Sequence, residues 1–110
     1  MENSIRPNLV EQEVIKGRIT YFINIDVELV GDMYRYEPIK IEYNKFDYAG
    51  IVDALVSHKY PIDKMQAVIN NYLLDPNEAY AIDEFNKMQA WRKEAKEIAK
   101  GALLYELSNG

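Results

Sequence analysis

Cysteine is absent from the sequence, and there is one histidine, one tryptophan and four prolines in 110 residues. Without cysteine there is no disulfide framework and no thiolate-ligated zinc. One imidazole, His58, falls well short of the three or four ligands a zinc site needs. His58 follows Ser57, but helix neighbours at i and i+1 point apart, so they form no nucleophile–base dyad. It reads instead as a residue favoured by the dipole at a helix C-terminus. The five glycines are scattered, which removes any phosphate-cradling loop. No run approaches the roughly 18 apolar residues of a membrane span. The stretch Met1 to Pro7 lacks the apolar core of a signal peptide. Positive charge is also scarce: 13 Lys and Arg stand against 18 Asp and Glu, for a net charge of −5. That balance runs against broad nucleic-acid binding.

The acidic stretch from Asp75 to Glu84 resembles a calcium loop in composition only. Its sixth position is Tyr80 where the loop needs glycine, and its twelfth is Asn86 where it needs glutamate. Asp83 and Glu84 are explained as charges near a helix N-terminus. No catalytic residue, metal ligand or cofactor site is expected, and the chain reads as non-enzymatic.

What is present is an ordinary globular composition, 48% apolar and 28% charged, at a length that suits one domain over residues 1 to 110. From Arg18 to Leu29 the residues Ile19, Tyr21, Ile23, Ile25, Val27 and Leu29 alternate with polar ones, a period of two broken only by Phe22. Gly31-Asp32 can close a type II′ hairpin, setting Leu29 against Tyr34, Glu28 against Arg35 and Val27 against Tyr36. Beyond Glu37-Pro38 the apolar parity changes to Ile39, Ile41 and Tyr43. A bulge near Pro38 restores one apolar face, with Ile25 against Ile39, Ile23 against Ile41 and Tyr21 against Tyr43. Residues 8 to 16 fit either a short helix ending at Gly17 or a strand turning back at Lys16-Gly17. A lone two-stranded hairpin is marginal, which favours the strand.

The remainder has helical spacing. Asp47 can cap a helix from Tyr48 to about His58, with Ile51, Val52, Leu55 and Val56 inward. Pro61 suits the first turn of a second helix, whose stripe is Met65, Val68, Ile69, Tyr72 and Leu73. Asp75, Pro76 and Glu78 mark the start of a long third helix running to about Tyr105, which Gly101 can fray or end. Its apolar face is Ala81, Phe85, Met88, Ala95, Ile98, Ala99 and Ala102. The expected architecture is therefore α+β: an N-terminal antiparallel hairpin or small sheet (18–43, with 1–17 ambiguous), then three helices within 47–107, packed on its apolar face.

Four residues are candidates for interaction. Phe22 places an aromatic on the polar side of a strand, where a contact would explain it. Trp91 lies beside the core stripe and suits either helix packing or a contact. Arg92 and Lys96, continued by Lys100, form a basic stripe with Lys93 beside it, interrupted by Glu94 and Glu97. Tyr21, Tyr34, Tyr36 and Tyr43 fall on the presumed core face, as packing or interface residues. The first strand leaves its far edge free for self-association unless residues 9 to 15 cover it.

The segment from Val52 to Lys96 carries a Tyr60-Pro61 helix opening, the run Asn70-Asn71-Tyr72-Leu73-Leu74-Asp75-Pro76, then Glu84-Phe85, Met88-Gln89-Ala90-Trp91-Arg92 and Ala95-Lys96. It resembles small proteins encoded in tailed phages and prophages, with those of Bacteroides-type genomes closest and XkdW-type proteins of defective prophages sharing a weaker version. The resemblance implies a virion or tail-associated structural protein without enzymatic activity, in the bacterial cytoplasm or the virion. Its partners would be other virion or tail proteins or a second copy; the lack of an apolar run argues against a membrane, and the acidic balance against nucleic acid. The alternative from the residues is a bacterial adaptor or nucleic-acid-associated regulator using the basic stripe.

Overall fold

The computed structural model describes residues 1 to 109. Four strands, β1 (Glu2–Asn3), β2 (Val10–Ile15), β3 (Arg18–Val30) and β4 (Met33–Glu42), form one antiparallel sheet in the order β1-β4-β3-β2. A 3₁₀ turn at Tyr43–Lys45 leads into α1 (Tyr48–Lys59), α2 (Ile62–Leu74) and α3 (Ala79–Asn109). The fold is α+β, with α1 and α3 against one face of the sheet and α2 packed on α3.

The local chemistry accounts for most of these boundaries. Lys16 and Gly17, both at positive φ, form the two-residue turn between β2 and β3. The strand reading of residues 10–15 therefore holds, and β2 covers the outer edge of β3 within the chain. Gly31, at φ 63°, closes the next hairpin between Val30 and Met33. Asp47 caps α1, its carboxylate accepting the Gly50 N–H at 2.7 Å. A Cβ on Gly50 would run into the backbone carbonyl of Lys45, so this turn needs glycine. Pro61 precedes α2 as its N-cap, and its carbonyl accepts the first helical bond, from Met65 N–H at 2.9 Å.

The hairpin register departs from the expected one. Leu29 faces Tyr34 and Glu28 faces Arg35 as the turn requires, but Ile25 faces Glu37, Ile23 faces Ile39 and Tyr21 faces Ile41. Pro38 pairs regularly with Asn24, and the irregularity lies on β3, between Ile25 and Glu28. Two properties explain this. Tyr36 exchanges hydrogen bonds with Met1 on the outer side of β4, so by alternation Pro38 also turns its nitrogen outward, where a missing N–H costs nothing. Asp26 takes the bulge at φ 54°, a conformation aspartate tolerates. In consequence Leu29, Tyr34 and Tyr36 lie on the face opposite Ile39 and Ile41, and Tyr43 lies beyond the strand, exposed.

On the helix face, Ile23, Ile25, Ile39 and Ile41 meet Ile51 and Leu55 of α1 and Met88 of α3. Ala95, Ala99 and Ala102 are fully buried, and their small side chains let α3 lie close to its neighbours. Tyr72 stacks on Phe85 at 4.3 Å between ring centroids, tying α2 to α3. Leu73, expected inward, is 70% exposed. Helix α3 starts later than expected, because Glu78 rather than Asp75 caps it, accepting the Ala81 N–H at 2.6 Å. Asp75 instead holds the preceding turn through Asn77 and Glu78.

Gly101 neither ends nor frays α3, which continues to Asn109. A Cβ there would sit 3.7 Å from Leu9 Cδ2, an ordinary contact. Gly101→Ala is therefore expected to stabilise the protein by about 0.5–1 kcal/mol through helix propensity. Urea denaturation followed by circular dichroism reads this as a higher midpoint; a lower one would mean the site cannot take a methyl group.

Tyr21 stacks on Phe46 at 3.9 Å. Its hydroxyl titrates above its ordinary value of 10.0, chiefly through burial and then through Glu106 and Tyr43. The unfolded chain loses this proton first, so the contribution to stability is full below about pH 10 and disappears as pH rises through the elevated value. The urea midpoint should fall more steeply above pH 10 in the wild type than in Tyr21→Phe.

Candidate interaction surface

The order β1-β4-β3-β2 places β1 outside one edge and β2 outside the other, so residues 4 to 9 must cross the sheet. They cross on the face away from the helices. Arg6 lies over the Tyr34 ring at 6.0 Å, and Asn24 donates its side-chain amide to the Asn8 carbonyl at 2.8 Å. Both Tyr34 and Asn24 point to that face, by alternation with the core residues. This crossing segment explains why Tyr36 and Asn24 are buried on a face without helices. Asn24 also donates to the Glu11 carboxylate at 2.7 Å, and its backbone N–H to the Leu9 carbonyl at 2.9 Å.

Beyond the crossing segment the face is open. The register sets Glu11, Phe22 and Lys40 in one row and Glu13, Thr20 and Glu42 in the next. A shallow groove of about 120 Å³ lies here, lined by Phe22, Tyr36, Pro38, Glu11 and Glu13 among others. Phe22 is half-buried. The groove thus has an apolar floor and a carboxylate rim along β2.

The other candidates lie elsewhere. Trp91 is 5% exposed; its Nε1 donates to the Leu55 carbonyl at 3.0 Å, and Lys59 Nζ sits 4.1 Å from its ring. Lys59 in turn pairs with Asp26 at 3.1 Å, and His58 with Glu37, so the basic end of α1 is fastened to the sheet. Arg92 and Lys96 line a groove with Tyr48, Val52 and Met65 on the helical side, in a different layer from Phe22. Arg92 is half-buried and donates to the Gln89 side chain at 3.1 Å, while Lys96 is exposed. The stripe is interleaved with acids, Lys100 lying 3.6 Å from Glu97. Lys96→Ala should change stability by about 0.5 kcal/mol or less in urea denaturation, as exposed charges do. Steep salt-dependent binding of duplex DNA, lost in this variant, would instead give the stripe a ligand.

Sequence reasoning missed the groove's other walls. The sequence pattern places Tyr36 on a core face and Pro38 at a bulge, and leaves Asn24 as one of the polar residues that alternate along its strand. Only the crossing of residues 4 to 9 gives them a common surface, and that segment has no periodicity to read.

Among the described residues no group of three or more His, Asp or Glu side chains could hold a metal ion, and no buried side-chain nitrogen or oxygen lacks a hydrogen-bond partner. No helix of the described chain is long and apolar enough to cross a membrane. Compared with protein-family models, curated proteins and solved structures, the chain matches none.

Proposed function

We propose that this protein is a non-enzymatic contact module of phage or prophage type, which takes part in virion or tail assembly by docking another protein on the open face of its sheet. Its place of action is the bacterial cytoplasm or the virion. The observation that carries the reading is Phe22, a half-buried aromatic beside an apolar groove on a sheet face that no helix covers. Sheets of this kind bury one face and keep the other polar, and here Phe22 adjoins Tyr36 and Pro38 in one contiguous apolar surface, which supports a contact. The phage context rests on the resemblance over residues 52 to 96. The basic stripe receives no comparable support, since Arg92 is held by the Gln89 side chain and Lys100 lies beside Glu97.

The test is affinity capture from cells that produce the protein natively, with the wild type, Phe22→Ser and Lys96→Ala, all shown to melt at the same temperature. A specific partner should be recovered on the wild type and on Lys96→Ala and lost on Phe22→Ser. Retention on Phe22→Ser with loss on Lys96→Ala would contradict the reading.

A further inference from the structure

We infer that the occupant of the open face is a segment of a different protein, one that sets lysine or arginine along Glu11 and Glu13 and lays the methylene stems of those side chains on Phe22. This rests on the reading of that face as a contact surface.

The inference comes from how charge is arranged across the strands. One row reads Glu11, Phe22, Lys40, and the next Glu13, Thr20, Glu42. A second copy packed face to face would be related by a two-fold axis lying in the interface. With the axis parallel to β3, β4 of one copy lies over β2 of the other. Lys40 then meets Glu11, but Glu42 meets Glu13. With the axis perpendicular to the strands and passing between these two rows, β2 lies over β2 and Glu11 of each copy meets Glu13 of the other. Sheets packed face to face stand about 10 Å apart, so either arrangement confronts carboxylates across a closed layer. The chain also carries a net charge of −5, which adds a general repulsion between copies.

What the face lacks is a cation along β2. The residues lining the groove include Glu11 and Glu13 and no basic side chain; the amino group of Met1 is already bonded to the Tyr36 carbonyl at 2.8 Å. A partner strand that places two basic residues at i and i+2 spaces them about 7 Å apart, which matches alternate residues on β2. Their methylene stems would cover Phe22 and Pro38 while their charges reach the rim.

The experiment is a nuclear magnetic resonance titration of the full-length protein with capped six-residue peptides in which valine alternates with lysine, with glutamate or with threonine. The lysine peptide should shift the amides of Glu11, Glu13 and Phe22 saturably, leave the acidic residues of α3 unmoved, and bind at least fivefold more weakly to Glu13→Lys. Equal response to the threonine or glutamate peptide, shifts spread over all acidic residues, or no response would overturn the inference. So would a sedimentation mass that rises with concentration and is restored to the monomer by Phe22→Ser, since the occupant would then be a second copy. If affinity capture depends on Phe22 while the lysine peptide fails, this inference falls and the contact reading stands.

Discussion

Replacing Trp91 with alanine is expected to cost about 4 kcal/mol, a large part of the stability of a domain this size. The ring is almost wholly enclosed, and it fills the junction of α1 and α3 beneath Lys59. Removing it leaves a cavity among Leu55, Met88 and Ala95, residues whose neighbours cannot all collapse inward. It also strips the Leu55 carbonyl of the indole N–H at 3.0 Å. Trp91→Phe separates the two effects: most of the packing remains and the hydrogen bond is lost, for about 1–2 kcal/mol. Urea denaturation read by circular dichroism should order the variants as wild type, then phenylalanine, then alanine. An alanine variant within about 1 kcal/mol of wild type would place Trp91 outside the core.

Asn24→Asp is expected to cost about 3 kcal/mol at neutral pH. The side chain is 4% exposed and donates both to the Asn8 carbonyl and to the Glu11 carboxylate. The substitution replaces the amide donor with a carboxylate, which would confront one carboxylate and one carbonyl in the same space. The new group would hold its proton above its unfolded value, so its penalty should be full at pH 7 and fade as pH falls toward about 4. Hydrogen exchange should show the loss first at residues 4 to 9, whose crossing of the sheet Asn24 anchors. If those amides exchange as in the wild type, the crossing segment is held by something other than Asn24.

The turns, caps and helix faces were legible because each rests on neighbouring residues. Gly31-Asp32 fixes a hairpin by its own dihedrals, and Asp47 needs only the N–H three residues on. The bulge was not legible in the same way. A parity change on β4 says that one strand carries an extra residue, but pattern alone cannot say which. Pro38 looked like the disturbance; in the fold it occupies an outward-facing position where its missing donor is harmless, and Asp26 across the sheet takes the strain. Tyr34 and Tyr36 misled for a related reason. Apolar rings on a strand suggest the helix-packed face, yet these two are covered from the other side by the crossing N-terminal segment, with Met1 bonded to Tyr36 and Arg6 set over Tyr34. β1 has two residues and shows no period at all.

For the interaction surface, Phe22 was visible as the one large apolar residue out of phase. Helical spacing put Arg92 and Lys96 on one stripe, but it could not say that the stripe would lie on the far side of the molecule from Phe22. That follows only from which face of the sheet the helices cover.

On the proposed function, the open face around Phe22 is where this protein meets its partner. The most direct measurement places a photo-activated cross-linking residue at position 22 in one variant and at position 93 on exposed α3 in another, each expressed in cells that produce the protein natively. One discrete cross-linked product from position 22 and none from position 93 is the predicted result. A discrete product from position 93 alone would place the contact on the helices and rule out the face around Phe22.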